Sequence, residues 1–266
     1  MSVGSAEVNH HQAPADGNLD MLTIEGLTAG YSKVPVIQDI SLKVRRAEVV
    51  AVIGPNGSGK STMLKAIVGL IGREGRVILK GQDVSEWPTN RIIRAGLAYV
   101  PQVENVFPSL SVTENLEAGA FFRRDQVRRG IERVYSFFPD LQLARKKRAG
   151  ELSGGQQKML AIGRGLMSEP AIVLLDEPSG GLAPIYMQVV WQKIKEIAAA
   201  GTSIVLVEQS VQDAIAQASV VHVFISGRSV LTATPAELAN HDLAALFLGG
   251  IDRIGGETPP QSSRVQ

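Results

Sequence analysis

Gly54-Pro55-Asn56-Gly57-Ser58-Gly59-Lys60-Ser61 fits the pattern G-x-x-x-x-G-K-[ST], and no other stretch narrows the choice of fold so far. The octet follows a short, largely apolar run, Glu48–Ile53. It opens a segment with apolar Met63, Leu64, Ile67, Val68 and Leu70, which predicts a helix over Lys60–Leu70. A glycine-rich turn between strand and helix lets successive backbone N–H groups point inward at phosphate oxygens. The positive N-terminal end of the helix reinforces the same field. Gly54, Pro55, Asn56, Gly57, Ser58, Gly59, Lys60, Ser61 and the following Thr62 are therefore the candidate nucleotide cradle. Lys60 would reach the β- and γ-phosphates, and the Ser61 hydroxyl would bind Mg²⁺. The motif by itself indicates a nucleoside triphosphate and does not separate ATPase, GTPase and kinase.

A second constellation answers the first. Ile172-Val173-Leu174-Leu175-Asp176-Glu177 is an apolar strand ending in two carboxylates. In phosphate-loop enzymes the strand-end Asp holds Mg²⁺, and Asp176 has that position. Glu177, one residue on, leaves the strand and could orient or deprotonate an attacking water.

The rest of the chain reads as strands alternating with helices. Met21–Leu27, Ile40–Val44, Arg76–Leu79 and Ala98–Val100 are strand candidates. Later come strands at Ala171–Leu175, Ser203–Val207 and Val220–Ile225, with helices at Pro184–Ala200 and Ser210–Ala218 between them. Alternation of this kind predicts an α/β fold with a largely parallel sheet covered by helices. It is interrupted over about 103–151, where Thr113 to Glu117 begins one helix and Gln126–Phe138 has helical spacing at Val127, Ile131, Val134 and Phe138. Residues 1–20 and 251–266 are polar, small or rich in Gly and Pro, and are expected to be loose tails. His10 and His11 fall in the first tail with no partner ligands nearby.

Composition removes several classes of function. There is no cysteine, so disulfide frameworks, thiol catalysis and cysteine–metal sites are all excluded, and a reducing compartment fits. Four histidines do not suggest a histidine-rich metal site. Lys+Arg 27 against Asp+Glu 26 gives a net charge of +1, which offers no global attraction for nucleic acid. No apolar run approaches the ~18 residues of a spanning helix, and the N-terminus lacks the pattern of a secretory signal. A soluble protein, or one held at a membrane through a partner, is expected.

Leu152-Ser153-Gly154-Gly155-Gln156 precedes a helical run with Met159, Leu160, Ile162, Gly163 and Leu166. Ser153 can cap that helix, and the glycines expose its N-terminal N–H groups, making a second anion site. Placed between the phosphate loop and the acidic strand, this LSGGQ string resembles the nucleotide-binding subunits of ABC transporters. The resemblance runs from about Met21 to Gly250. Gln102 matches that family's Q-loop position, and Tyr31 matches the aromatic that stacks on adenine.

The resemblance implies a P-loop NTPase core of RecA-like type, with an antiparallel β subdomain and an inserted α-helical subdomain at about 103–151, all within one cassette over 21–250. It implies ATP and Mg²⁺, with Ser61, Gln102 and Asp176 toward the metal and Glu177, Gln209 and Gln102 in hydrolysis. It also implies a head-to-tail dimer, in which Ser153, Gly154, Gly155 and Gln156 of one subunit complete the phosphate cage of the other. The dimer would be peripheral at the cytoplasmic face of the inner membrane, driving a permease and served indirectly by a substrate-binding protein, with no nucleic acid.

Two positions depart from the commonest pattern. Ser179-Gly180-Gly181-Leu182-Ala183-Pro184 ends in Ala183 where Asp is usual. Gln209, in Leu206-Val207-Glu208-Gln209, stands where a histidine is expected, and glutamine can hydrogen-bond to a phosphate but cannot carry positive charge. The same G-L-A-P and V-E-Q strings look like the LivF-type ATPases of branched-chain amino acid importers. So do Glu104-Asn105-Val106-Phe107-Pro108-Ser109-Leu110-Ser111-Val112-Thr113-Glu114-Asn115-Leu116, Phe138-Pro139-Asp140-Leu141 and Phe247-Leu248-Gly249-Gly250. In that group two ATPases commonly share a transporter, so the partner is a second copy or a sister chain. The group also serves urea and short amides. A soluble cassette acting in translation or DNA repair, or a non-catalytic nucleotide-binding partner, is the remaining reading. A single phosphate loop, a single LSGGQ, no sustained heptads and the retained Glu177 argue against both.

Residues 121–150 carry nine basic and three acidic side chains, a local balance of +6. A solvated helical face explains such a run, and attraction to lipid headgroups is the alternative. Phe107 is either a core residue of the insertion or part of a joint with the permease.

Overall fold

Three strands are buried on both faces and apolar except at their ends: β3 (Val49–Ile53), β7 (Ile172–Asp176) and β8 (Ser203–Glu208). Strands of that composition belong in a parallel sheet with a layer on either side. The computed structural model, which describes residues 20–103 and 106–249, places them there.

β1 (Asp20–Ala29), β2 (Ile37–Arg45), β4 (Arg73–Leu79) and β5 (Gln82–Asp83) form a four-stranded antiparallel sheet in the order β2-β1-β4-β5. With β6 (Leu97–Val100), β9 (Val220–Ile225) and β10 (Arg228–Ala233), the three apolar strands form a six-stranded sheet in the order β10-β9-β3-β8-β7-β6. It is parallel except for β10, which pairs antiparallel with β9. The fold is thus α/β with an antiparallel β sheet beside a parallel core, as the resemblance implies.

The helices are α1 (Lys60–Ile67), α2 (Thr89–Arg94), α3 (Val112–Gly119), α4 (Val127–Phe137), α5 (Pro139–Leu143), α6 (Gly154–Leu166), α7 (Pro184–Ala199), α8 (Val211–Gln217), α9 (Pro235–Leu238) and α10 (Leu243–Gly249). Alternate residues of each core strand divide between two apolar clusters, as the two-residue strand period requires. Ala51, Ile53, Leu175 and Leu206 join Leu116 of α3, Leu160 of α6, Ile194 of α7 and Ala214 of α8. Val50, Val52, Leu174 and Val207 face the other way, onto Met63, Leu64 and Ile67 of α1 and onto Leu22, Ile24 and Leu42 of the antiparallel sheet. Between β6 and β7 the chain runs through α3 to α6. α3 begins on a capping box, Ser111 with Glu114.

Several boundaries differ from the sequence reading. α1 stops at Ile67, short of the expected Leu70, because Gly69 takes a left-handed φ of 77°. The half-buried guanidinium of Arg73 then caps the helix, donating to the carbonyls of Ala66 and Ile67, and to those of Val84 and Ser85. The phosphate-loop helix is thereby tied to the antiparallel sheet. Strand β10, on a two-residue turn through Ser226 and Gly227 (φ 48° and 79°), was not expected. It is an edge strand with polar Arg228, Ser229 and Thr232, which hides the apolar signal. The capping box Thr234–Glu237 that starts α9 was also missed. Asp20 begins β1 and is no tail residue; the rest of the 1–20 tail, all of the 251–266 tail, and Glu104 and Asn105 lie outside the described residues. Among the described residues no helix is long and apolar enough to cross a membrane.

His222 of β9 is 4% exposed and meets the Thr232 hydroxyl at 2.9 Å through Nδ1. Burial lowers its pKa from 6.5 to about 4. Below pH 6.5 the unfolded chain takes up a proton that the folded chain resists, so stability falls as pH drops from 6.5 toward 4. A loss of about 3 kcal/mol is expected across that window. In denaturant titrations His222→Asn should lack this part of the pH dependence.

Candidate active site

The phosphate loop leaves the C-terminal end of β3 and enters α1. Its shape depends on two glycines. A Cβ on Gly54 would lie 2.2 Å from the Phe224 carbonyl oxygen and 2.9 Å from Ser58 Oγ, so only glycine lets the loop leave the sheet beside β9. Gly59 has φ +98°, and a Cβ there would meet Ile37 at 2.5 Å. It is the N-cap of α1, and no side chain caps the helix. The first N–H groups of α1 therefore keep their capacity to bind an anion.

Pro55, Asn56 and Gly57 are exposed and form the rim, whereas Gly54, Ser58, Gly59, Lys60 and Thr62 are buried and Ser61 is half-buried. Among the described residues the buried Ser58 Oγ has no hydrogen-bond partner, so the cradle retains an unused polar group. Lys60, 5% exposed, curls over the loop and donates to the carbonyls of Gly54 at 2.7 Å and Pro55 at 3.0 Å. Burial lowers its pKa, while Glu177, Asp176 and Glu208 act in the opposite direction.

Asp176 closes β7 and is 4% exposed. Its Oδ1 accepts from Ser61 Oγ at 2.8 Å and its Oδ2 from the Tyr99 hydroxyl at 3.1 Å. Burial, and then the charge of Asp176, push the Tyr99 pKa up, so Tyr99 remains a protonated donor. Glu177 adopts φ 45°, and its N–H donates to Val207 O at 3.0 Å. A non-glycine residue in this region costs roughly 1–2 kcal/mol. That strained turn swings the Glu177 side chain off the sheet, where the Gln102 amide donates to its Oε2. The structure so brings Ser61, Asp176, Glu177 and Gln102 into one connected group at the ends of β3, β7 and β6.

Gln209 lies exposed at the end of β8, and among the described residues no hydrogen bond joins its side chain to that group. Its neighbour Glu208 is 2% exposed and accepts from Ser179 N–H at 2.8 Å and from Gln209 N–H at 3.2 Å. Burial raises the Glu208 pKa. Lys158 of α6 is buried as well and donates to the Gln102 and Glu177 carbonyls, each at 3.2 Å. Tyr99, Lys158 and Glu208 were not singled out in the sequence. Each lies inside or beside a motif that was, but its burial could not be read from the string.

Ser153 caps α6: its Oγ accepts from Gln156 N–H at 3.3 Å, and Gln156 Oε1 accepts from Ser153 N–H at 3.1 Å. Ser153 and Gly154 are exposed, and among the described residues no hydrogen bond joins Ser153–Gln156 to Gly54–Thr62 of the same chain. Tyr31 is 61% exposed, with Lys65 Nζ 3.4 Å from its hydroxyl and 5.7 Å from the ring centroid. Phe107 is not core: it is half exposed, and the Arg164 guanidinium stands 4.8 Å over its ring.

Hydroxyl, carboxylate and amide oxygens are hard donors that suit Mg²⁺, which is usually held by one or two carboxylates plus substrate phosphates. The Ser61–Asp176 pair, with Gln102 beside it, has that form. Among the described residues no group of three or more His, Asp or Glu gathers into a cage for a different metal.

A protein-family model described as ABC transporter matches residues 37–180. The chain belongs to the ABC transporter family. It is 39% identical over 233 residues to the high-affinity branched-chain amino acid transport ATP-binding protein BraG of Pseudomonas aeruginosa, covering 86% of this chain and all of that protein. It is 35% identical to a "probable branched-chain amino acid transport ATP-binding protein LivF" of Archaeoglobus fulgidus, covering 87% of this chain and all of the other. Its fold matches the ADP conformation of MJ1267, an ATP-binding cassette of an ABC transporter, with a TM-score of 0.78 at 24% identity, over 87% of this chain and all of that one. The constellation described above therefore sits in an ATP-hydrolysing cassette.

Within the cassette, Gly155 rests on Tyr186 of α7: a Cβ there would lie 2.9 Å from two carbons of its ring. Gly155→Ala should destabilise the fold by about 1–3 kcal/mol. Adding Tyr186→Ala should restore part of that loss, which a double-mutant cycle on denaturation midpoints would read.

Proposed function

We propose that this chain is the ATP-hydrolysing subunit of an importer of branched-chain amino acids, peripheral at the cytoplasmic face of the membrane on a permease. The observation that carries the hydrolytic part is the connected group Ser61–Asp176–Glu177–Gln102 at the mouth of the phosphate loop. The transported solute is argued from the names of the two relatives above.

Gly54–Thr62 would wrap the phosphates, with Lys60 leaving its loop carbonyls for the β- and γ-phosphates. Tyr31 offers an open ring face for adenine. Ser61, Asp176 and Gln102 would hold Mg²⁺, which, when bound, neutralises charge on the phosphates. Glu177, placed by its left-handed turn and by Gln102, would align and deprotonate water. Gln209 could hydrogen-bond to the terminal phosphate without adding charge. Ser153, Gly154, Gly155 and Gln156, remote from their own cradle, would close over the ATP of a second cassette, either a copy of this chain or a sister. The dimer would then close on ATP and open after hydrolysis, which moves the permease.

Glu177→Gln should retain ATP binding and lower turnover at least 100-fold; a steady-state phosphate-release assay reads this, and near-normal turnover would remove Glu177 from the role. Tyr31→Ala should weaken ATP binding about 5- to 30-fold in a nucleotide titration, the loss of roughly 1–2 kcal/mol of stacking. Equal affinity would make it a packing residue. For the solute, uptake of labelled leucine should fall on deletion of the gene, with valine competing in intact cells. Unchanged leucine uptake, with loss of labelled urea or amide uptake, would keep the cassette and reassign its cargo.

A further inference from the structure

Lys158 is the one charged residue in the apolar run Met159-Leu160-Ala161-Ile162 and its approach, and it is only 6% exposed. A buried ammonium costs several kcal/mol unless its donors are used. Here they are used on two peptide oxygens: Gln102 O at 3.2 Å and Glu177 O at 3.2 Å. No carboxylate oxygen among the described residues comes within ion-pair distance of it, so Lys158 is not the partner of a structural salt bridge. What it grips is main chain, at the two residues whose side chains meet in the Gln102–Glu177 hydrogen bond.

The Glu177 peptide needs such a grip. Its φ of 45° is uphill for a residue with a Cβ. Among the described residues three hydrogen bonds hold it there: its N–H to Val207 O at 3.0 Å, its carbonyl from Gly180 N–H at 3.1 Å, and the same carbonyl from Lys158. Val207 belongs to the neighbouring strand and Gly180 to the turn itself. Only Lys158 comes from another layer, and that layer is α6, the helix that begins at Ser153.

We propose that Lys158 is a positioning residue for ATP hydrolysis, fixing the peptides of Glu177 and Gln102 from the helix whose N-terminus receives the second cassette's ATP. The inference rests on the hydrolytic reading given above. Closure of a partner onto Ser153–Gln156 would then bear on the placement of the water-handling groups through one ammonium, about one and a half turns along the helix. Lys158 touches neither nucleotide nor water in this scheme.

The test compares the full-length wild type, Lys158→Met, Lys158→Gln and Glu177→Gln. Each is measured for ATP affinity, steady-state kcat and KM, and backbone amide exchange. Lys158→Met should lose at least tenfold in kcat with KM for ATP within twofold. Lys158→Gln, which keeps a donor, should fall between it and wild type. The amides of Glu177 and Gly180 should exchange at least tenfold faster in Lys158→Met, with those of β3 and β8 unchanged. Wild-type kcat in a Lys158→Met chain that binds ATP normally would overturn the proposal. So would equal losses of kcat and ATP affinity in both variants, which is general destabilisation. If Lys158→Met does not fold, Lys158→Gln carries the comparison alone. Full turnover in Glu177→Gln would instead sink the hydrolytic reading. If the wild type alone shows no turnover, the exchange rates decide: unchanged Glu177 and Gly180 amides would overturn the tether.

Discussion

Ser61 and Asp176 are 115 residues apart in sequence and meet at 2.8 Å. That contact depends on strand order. β3 delivers the phosphate loop and β7 delivers the carboxylate, with only β8 between them in a parallel sheet. Because all three strands run the same way, their C-terminal ends share one rim, where open α/β sheets place their ligands. Two apolar layers fix the order: α1 with the antiparallel sheet on one face, and α3, α6, α7 and α8 on the other. Without those layers, strands as apolar as β3, β7 and β8 could not remain in register.

The rim is an electrostatic balance as well as a geometric one. Asp176, Glu177 and Glu208 converge on it, and the ammonium groups of Lys60 and Lys158 lie among them. Desolvation lowers the pKa of both lysines, and the carboxylates oppose that shift. Glu208 does a different job: buried beneath the rim, it accepts the backbone N–H groups of Ser179 and Gln209. It thereby joins the turn after β7 to the turn after β8. The string Val-Glu-Gln thus holds two buried residues, Val207 and Glu208, and one facing solvent, Gln209.

Much of this was legible in the chain. The phosphate loop could be read because backbone curvature and phosphate charge demand glycines and a lysine at fixed spacing. The helix caps at Ser153 and the apolar strand before Asp176 are local signals of the same kind. What escaped depends on neighbours distant in sequence. Tyr99 looks like any strand aromatic until β6 is laid beside β7. Lys158 looks like a solvated helix charge until α6 is packed on the sheet. β10 escaped because an edge strand with one wet face carries little apolar alternation. Helix Pro139–Leu143 escaped because five residues are too few to show a period. Phe107 could not be assigned to core or surface until Arg164 was placed over its ring.

Gln209, standing where the commonest pattern has a histidine, leaves the positive charge of the candidate site to lysines. An exposed glutamine at the end of β8 can donate a hydrogen bond to an anion and adds no charge. The positive charges beside it are buried: Lys60 in the cradle and Lys158 behind Glu177. A desolvated ammonium acts more strongly on nearby negative charge than a solvated one, because less water screens it. The same desolvation exacts several kcal/mol from the fold. Bonds to Gly54, Pro55, Gln102 and Glu177 offset that cost, and those acceptors are the backbone of the site itself. Stability and geometry are therefore coupled here: the carbonyls that make the buried lysines tolerable are the ones whose positions define the phosphate loop and the Glu177 turn.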